Sequence, residues 1–177
     1  VDEAHAIGVR GEQGLGCAEQ YGVLNQIDFL VGTFGKAIAS IGGYIICDPI
    51  IRDYLINKMR PLIFSTALPP ISMAWSDFIF NKVLNMQQQR HHLAEISQYL
   101  QQTVITKGFS SPSSSHIIPI IVGESQAAIE KARYVQQQGF YAMPVRPPTV
   151  PQNSSRLRIS LTSLVQKNEL EQLVECL

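Results

Sequence analysis

The sequence has few cysteines and no long hydrophobic run. Its three cysteines, Cys17, Cys47 and Cys176, lie far apart and form no C-x-x-C pair. Neither a disulfide framework nor a cysteine-based metal or redox site is therefore expected. No apolar stretch approaches the ~20 residues that span a bilayer, and no basic region followed by an apolar run opens the chain. These absences favour a cytoplasmic protein with reduced thiols.

An excess of charge of one sign is also absent. Lys and Arg total 14, as do Asp and Glu, and the longest basic cluster is Arg90-His91-His92. A nucleic-acid-binding protein normally has a basic excess or a stripe of Lys and Arg. We therefore expect neither a nucleic-acid partner nor a membrane partner, and no metal. A content of 45% hydrophobic and 16% charged residues is typical of a globular protein.

An initiating methionine is missing as well. The chain opens on Val1-Asp2-Glu3, a charged segment typical of the end of a strand. We therefore expect a fragment of a longer protein, although 177 residues are enough for one sizeable domain or two small ones.

Apolar periodicity predicts the elements around Lys36. Short apolar runs at 27–33 and 43–47 predict buried strands, with Lys36 in the loop between them. Apolar positions three and four residues apart at 50–59 predict a short amphipathic helix. The segment 65–70 is predicted to form a turn, and the helical pattern from 71 to about 106 predicts one long helix.

The remaining residues predict a small α/β domain. A serine-rich surface loop at 110–115 is followed by a β-α-β-β-α order, which suits an antiparallel or mixed sheet. Its strands are expected at 117–122, 141–145 and 157–161, and its helices at 126–138 and 167–176. The expected fold class is α/β. A remnant of a larger, mainly parallel-sheet domain covers 1–70, the long connecting helix covers 71–107, and the small C-terminal domain covers 108–177.

Asp2 and His5 stand three residues apart where a strand runs into a glycine-bearing loop. In open α/β sheets, ligands bind at that edge. A carboxylate there can hold a protonated pyridine nitrogen, and an imidazole can hydrogen-bond a phenolic oxygen. Taken alone, the D-x-x-H pattern fits metal ligation or simple surface polarity better.

Lys36 lies in Thr33-Phe34-Gly35-Lys36-Ala37, directly after a predicted strand. A lysine amine attacks an aldehyde in its neutral form, which partial burial favours. The Thr33 hydroxyl can bind a phosphate oxygen, and nearby glycines allow close approach of a ligand to the backbone. Taken alone, the segment fits a surface lysine in a glycine-rich loop better.

The motifs occur in a recognisable order. DEAH, TFGKA, GGY, IFSTALPP, RPPTVP and RLRISLT follow one another along nearly the whole chain. This order resembles the α-oxoamine synthases, fold-type I enzymes that use pyridoxal phosphate (PLP) to join an amino acid to an acyl thioester with loss of carbon dioxide. The segments 64–70 and 146–151 are most similar to the biotin-pathway member of that family, which uses L-alanine and a pimeloyl thioester.

The resemblance implies roles for the first group of site residues. Asp2 pairs with the pyridinium nitrogen of PLP, His5 contacts its phenolic oxygen, Thr33 binds its phosphate, and Lys36 forms the Schiff base.

Ser65 or Thr66 is implied to reach the cofactor phosphate of a neighbouring subunit. This contact predicts a homodimer whose active site is shared between the subunits. The alternative for this turn is a plain helix cap.

Thr149 and Arg158 are implied as substrate contacts. A guanidinium can hold the carboxylate of an amino acid through two parallel hydrogen bonds. Arg156 shares that face of the strand because it lies two residues away. We prefer Arg158 for this role.

The chain also departs from the family pattern. No histidine is present at 162–165, where relatives commonly have one. The family's glycine-rich phosphate loop, the side chain that stacks on the cofactor ring and a serine near the phenolic oxygen all precede the DEAH strand. The isolated chain is therefore expected to be inactive.

Two alternatives to this function stay open. One is a sibling synthase that makes 2-amino-3-oxobutyrate, 5-aminolevulinate or the long-chain base of sphingolipids. The other is a non-catalytic truncated or interaction subunit, against which the presence of Lys36 argues.

Overall fold

The computed structural model describes residues 1–177. The chain divides into two compact units, Val1–Arg90 and His91–Leu177. No helix is both long and apolar enough to cross a membrane.

The first unit contains a two-stranded sheet and several helices. In chain order its elements are α1 (Cys17–Gln20), a 3₁₀ turn (Leu24–Gln26), β1 (Phe29–Thr33), β2 (Gly43–Cys47), α2 (Pro49–Lys58), α3 (Arg60–Ile63) and α4 (Pro70–Leu84). Asp48 begins α2, since its side chain accepts a hydrogen bond from the Ile50 amide at 2.9 Å and proline follows at the first helical position.

The two strands flank the loop that carries Lys36. β1 and β2 pair antiparallel, in a register that sets Phe29 opposite Cys47 and Thr33 opposite Gly43. On its other side β1 is joined by the start of the chain, where Asp2 forms a parallel bridge with Val31.

β2 is less buried than its apolar sequence predicts. Ile46 is 60% exposed and Ile45 is 39% exposed. A continuous apolar run is typical of a strand covered on both faces. Both faces of β2 are therefore only partly covered in this chain.

The segment predicted as one long helix from 71 to about 106 forms two helices. α4 ends at Leu84, and α5 (Gln87–Thr106) begins three residues later. The physical cause is Arg90, which is buried and donates hydrogen bonds to the carbonyls of Val83 and Leu84. The guanidinium satisfies the last carbonyls of α4, so the helix can end there.

The second unit is built on a three-stranded antiparallel sheet. Its elements are β3 (Ile117–Gly123), α6 (Ser125–Gln137), β4 (Met143–Val145), β5 (Ser155–Ser160) and α7 (Lys167–Glu175), and the strand order is β3-β5-β4. This agrees with the β-α-β-β-α order predicted from the sequence.

The core of the second unit follows from alternation along β5 and from helical spacing in the helices. On β5, Leu157 and Ile159 are buried, whereas Arg158 between them is exposed. Buried residues from the other elements include Leu100, Val104, Ile118, Ile120, Ala132, Val135, Leu170 and Leu173. One face of the sheet is thus buried, while its arginine-bearing face points away from this core.

Candidate functional site

The parallel bridge brings Asp2, His5 and Lys36 to one edge of the sheet in the first unit. Because Asp2 pairs in parallel with Val31, the residues after Asp2 and those after Val31 leave the sheet in the same direction. His5 follows Asp2 by three residues, and Lys36 follows Val31 by five. The side chains of Asp2, His5 and Lys36 are all exposed. A carboxylate, an imidazole and a primary amine are therefore accessible at the edge where α/β sheets bind ligands.

Glu3 fixes the backbone between Asp2 and His5. It is fully buried, and its carboxylate accepts hydrogen bonds from the backbone amides of Cys17 at 2.9 Å and Ala18 at 2.7 Å. A side chain at Gly16 would approach the Glu3 carboxylate to 2.6 Å, and the φ of 111° at this position favours glycine. Burial raises the pKa of the Cys17 thiol, and the Glu3 charge adds to that shift.

Sequence reasoning missed the role of Glu3. The motif drew attention to Asp2 and His5, whereas the only signal for Glu3 was its place between a strand end and a glycine-bearing loop. The amides that it accepts from lie 14 and 15 residues away along the chain.

Asp2 has a local contact of its own. Its Oδ1 atom accepts a hydrogen bond from the Ala4 amide at 2.8 Å. This hydrogen bond stabilises a turn just after the bridge. The Asp2 carboxylate thus shapes the local backbone and is also exposed at the sheet edge.

The loop Phe34–Gly42 presents Lys36. Its two ends are tied together, since the Phe34 amide donates to the Gly42 carbonyl at 3.0 Å. Ile38 is fully buried in a core cluster with Ile7 and Val83. The loop is thus attached to the core through Ile38, two residues after the exposed Lys36.

Thr33 shapes this loop. Its hydroxyl donates to the Gly42 carbonyl at 3.1 Å and accepts from the Gly35 amide at 3.1 Å. A hydroxyl has a single proton to donate. For Thr33 to donate to a phosphate, as the resemblance implies, it must exchange its bond to Gly42 for one to the ligand.

Ala39 is the conformationally demanding residue of the loop. Its φ of 50° lies in the left-handed region. For a residue other than glycine this conformation costs about 1–2 kcal/mol. Such a conformation persists only where surrounding contacts hold it.

Tyr44 lies beside this loop on β2. Its ring is 5.3 Å from that of Phe34, and its hydroxyl is buried without a hydrogen-bond partner. Burial raises the pKa of Tyr44, and the charges of Glu3 and Asp2 raise it further. A side chain at Gly32, opposite Tyr44 in the sheet, would collide with this hydroxyl.

Ser65 and Thr66 lie between α3 and α4. Both are exposed, and the Ser65 hydroxyl donates to the Leu62 carbonyl at 3.2 Å. This bond satisfies a carbonyl in the last turn of α3, so Ser65 acts as a helix cap in this structure. Contact of Ser65 or Thr66 with a cofactor remains a prediction.

Thr149 and Arg158 both lie in the second unit. Thr149 is exposed in the turn after Arg146, and its amide donates to the Arg146 carbonyl at 3.0 Å. Arg158 is exposed on β5, opposite Pro119 on β3 and Met143 on β4.

The two arginines of β5 share a face of the sheet but differ in how many hydrogen bonds their guanidinium groups make. Arg156 is half-buried and donates to Ser154 twice, from Nε to the carbonyl at 3.0 Å and from Nη2 to the hydroxyl at 3.2 Å. Arg158 makes one hydrogen bond, from Nε to the Ser160 hydroxyl at 3.3 Å. The outer edge of the Arg158 guanidinium is therefore open to an incoming carboxylate.

Comparison with known proteins places this geometry in a family. Residues 1–177 match the model of aminotransferase class I and II. The 8-amino-7-oxononanoate synthase of Haemophilus ducreyi is 54% identical over 178 residues, which cover all of this chain and 46% of that protein. A Pasteurella multocida protein provisionally given the same name is 56% identical, with the same coverage. The chain thus spans a little under half the length of the curated relatives it matches.

Solved structures give the same result. Serine palmitoyltransferase from Sphingomonas wittichii is 31% identical with a TM-score of 0.92, covering 99% of this chain and 45% of that one. A serine palmitoyltransferase variant from S. paucimobilis with bound PLP is 26% identical with a TM-score of 0.91, at the same coverage. The 8-amino-7-oxononanoate synthase of Francisella tularensis is 26% identical with a TM-score of 0.89, covering 99% of this chain and 52% of that one.

These matches confirm the resemblance to the α-oxoamine synthases that the motif order predicted. They also confirm the predicted α/β fold class of the fold-type I PLP-dependent enzymes. The chain belongs to the aminotransferase class I and II family.

Proposed function

We propose that this chain contributes the cofactor lysine and part of the substrate site of an 8-amino-7-oxononanoate synthase. The reaction joins L-alanine to a pimeloyl group carried as a thioester by CoA or by a carrier protein, and it releases carbon dioxide and the free thiol. The observation that carries the proposal is the exposed Lys36 amine on a loop at the same sheet edge as the Asp2 carboxylate. The names of the relatives that are 54% and 56% identical support the choice of substrates.

The donor set at this edge fits PLP. The carboxylate of Asp2 would pair with the ring nitrogen, the imidazole of His5 would meet the phenolic oxygen, and the amine of Lys36 would bind the aldehyde covalently. Thr33 would contact the phosphate once its hydroxyl leaves Gly42. Asp2 and Lys36 are exposed, so neither must break a buried ion pair to do this.

When bound, PLP supplies an electron sink for the carbon that carries the amino group of the substrate. Lys36 would serve as a proton carrier: its amine would remove the α-proton of alanine and later return a proton to the product. Asp2 would keep the ring nitrogen protonated, because an anionic partner stabilises the pyridinium charge.

Arg158 would hold the carboxylate of alanine. Its open guanidinium edge suits two parallel hydrogen bonds to a carboxylate. These two hydrogen bonds would also orient the bond to the carboxylate carbon, which breaks when carbon dioxide leaves. Thr149 would contact the substrate from the turn after Arg146.

We further propose a homodimer in which Ser65 or Thr66 reaches the phosphate in the neighbouring subunit. Several large apolar side chains around this turn are exposed in the single chain, including Ile63, Phe64 and Ile71. Contiguous exposed apolar surface is typical of a protein interface, which supports an assembly that covers the turn.

A sibling synthase is the second candidate. The matches to serine palmitoyltransferase structures, with TM-scores of 0.92 and 0.91, favour it. The 54% identity to the Haemophilus ducreyi oxononanoate synthase favours alanine and a pimeloyl thioester instead.

A substrate-specificity assay on the full-length protein separates these candidates. L-Alanine, glycine and L-serine are each offered with pimeloyl-CoA and with palmitoyl-CoA, and product formation is followed by mass spectrometry. The highest kcat/KM should belong to alanine with pimeloyl-CoA. A higher value for serine with palmitoyl-CoA, or for glycine, would assign the protein to a sibling reaction.

A further inference from the structure

One face of α4 supports the loop that carries Lys36. Ser72, Trp75 and Ser76 are three and four residues apart, so they lie on the same side of the helix. Trp75 donates a hydrogen bond from Nε1 to the Ala39 carbonyl at 2.9 Å, although the two residues are 36 positions apart in the chain.

The second contact is a pair of hydroxyls. The Ser40 and Ser76 oxygens lie 2.8 Å apart, and Ser76 also donates to the Ser72 carbonyl at 2.8 Å. The Ser40 hydroxyl also lies 3.5 Å from the Ser72 carbonyl, so the two serine hydroxyls and this carbonyl form one small hydrogen-bond network. Ser76 is 5% exposed, so water does not compete for its bonds.

These contacts act on the residues that fix the Lys36 backbone. The Ala39 amide donates to the Lys36 carbonyl at 3.0 Å, and the Ser40 amide donates to the Phe34 carbonyl at 2.8 Å. Ala39 is also the residue held in the left-handed region, with a φ of 50°. Helix α4 therefore hydrogen-bonds to the loop at Ala39, which has the left-handed backbone conformation, and at Ser40, which follows it.

We propose that Trp75 and Ser76 are positioning residues for Lys36. By holding Ala39 and Ser40, they keep the loop in the conformation from which the Lys36 amine reaches its aldehyde. The identity of that aldehyde as PLP rests on the proposed function, whereas the grip on the loop does not. Neither residue is assigned a contact with cofactor or substrate.

The test compares three variants of the full-length protein. Trp75→Phe keeps an aromatic ring but removes the donor to Ala39, and Ser76→Ala removes the hydroxyl that meets Ser40. Asn81→Ala is the matched control, because Asn81 lies on the same helix but bonds to Asp77 rather than to the loop.

Two readouts are recorded for each variant. The first is hydrogen–deuterium exchange of the backbone amides from Phe34 to Gly42. The second is the rate at which protein freed of cofactor captures PLP as a borohydride-trapped adduct on Lys36. Loss of one hydrogen bond should speed exchange in the loop and slow capture, each by about three- to tenfold. Asn81→Ala should change neither.

The outcomes decide the two proposals separately. Unchanged exchange in both Trp75→Phe and Ser76→Ala overturns the positioning role, as does faster exchange with an unchanged rate of capture. If Trp75→Phe does not fold, Ser76→Ala provides the same comparison. A wild-type protein that captures no PLP contradicts the proposed function, and loop exchange alone then decides whether Trp75 and Ser76 hold the loop.

Discussion

Asp2 and Val31 form a parallel β-bridge. The Glu3 amide donates to the Val31 carbonyl at 2.7 Å, and the Val31 amide donates to the Val1 carbonyl at 2.9 Å. This pairing sets the direction of both segments and so brings the D-x-x-H motif to the edge from which the Lys36 loop emerges. The candidate cofactor site depends on this register, because residues 29 positions apart in the chain must meet at one edge.

Replacing Asp2 by asparagine tests the carboxylate. We expect Asp2→Asn to retain the local turn, because an amide oxygen can also accept the hydrogen bond from Ala4. PLP should still bind, but turnover should fall by about a hundredfold or more, since a neutral amide does not keep the ring nitrogen protonated. Steady-state kinetics and cofactor content measured on the same sample check this.

Asp28→Asn is the control for that change. Asp28 is exposed and precedes β1, so it lies at the opposite end of the strand. The Asp28→Asn change should therefore leave turnover unchanged. Near-normal activity of Asp2→Asn would remove Asp2 from the site.

Arg158→Ala should weaken the use of alanine far more than that of the acyl thioester. Loss of a charge-assisted contact to a carboxylate costs about 2–5 kcal/mol, which is at least tenfold in the Michaelis constant for alanine. Turnover should fall as well, because the same contact orients the carboxylate. Separate titrations of the two substrates measure both effects.

Arg156→Ala is the matched control for Arg158. Arg156 already gives two hydrogen bonds to Ser154, which directly precedes β5. Arg156→Ala should therefore raise the Michaelis constant for alanine less than Arg158→Ala does. A larger alanine defect in Arg156→Ala than in Arg158→Ala would exchange the roles of the two arginines.

Tyr44→Phe should stabilise the protein. The Tyr44 hydroxyl is buried without a partner, and removal of such a group typically raises the free energy of unfolding by about 1 kcal/mol. Burial, followed by the charges of Glu3 and Asp2, raises the pKa of Tyr44 above its ordinary value of 10.0. The folded protein therefore retains a proton that the unfolded chain releases, so wild-type stability falls as the pH rises above 10.

The advantage of Tyr44→Phe should widen above pH 10, because phenylalanine does not titrate. Denaturant unfolding at neutral pH and above pH 10 measures this difference. Tyr54→Phe, which alters an exposed tyrosine on α2, is the control and should leave the free energy of unfolding at neutral pH near the wild-type value. A destabilised Tyr44→Phe protein would mean that the hydroxyl has a partner in the assembled protein.

Local periodicity was enough to predict most of the elements. The strand predicted at 43–47 is β2 as observed, and the predicted helix at 50–59 differs from α2 by one residue at each end. The first strand begins two residues later than expected, because Leu24–Gln26 forms a 3₁₀ turn just before it. These elements are set by apolar spacing and by Asp48-Pro49, which are local signals.

The break between α4 and α5 was not predictable in this way. It depends on Arg90, which bonds to the end of α4 and also donates to the Glu12 carbonyl 78 residues away. No local pattern reports a contact over that distance.

In the candidate site, too, some residues could be predicted from local sequence and others could not. Asp2, His5 and Lys36 stand out because their chemistry and their glycine-bearing surroundings are visible in the sequence. Glu3, Trp75 and Ser76 do not, since each acts on a backbone group that only the folded chain brings near.

The most direct test is to map the lysine that binds PLP. Full-length protein is incubated with PLP, reduced with borohydride, digested and analysed by mass spectrometry. The account predicts a reduced cofactor adduct on the peptide that contains Lys36, its loss together with turnover in Lys36→Ala, and its retention in Lys58→Ala, which alters an exposed lysine on α2. An adduct on a different lysine, or one that persists in Lys36→Ala, would contradict the assignment.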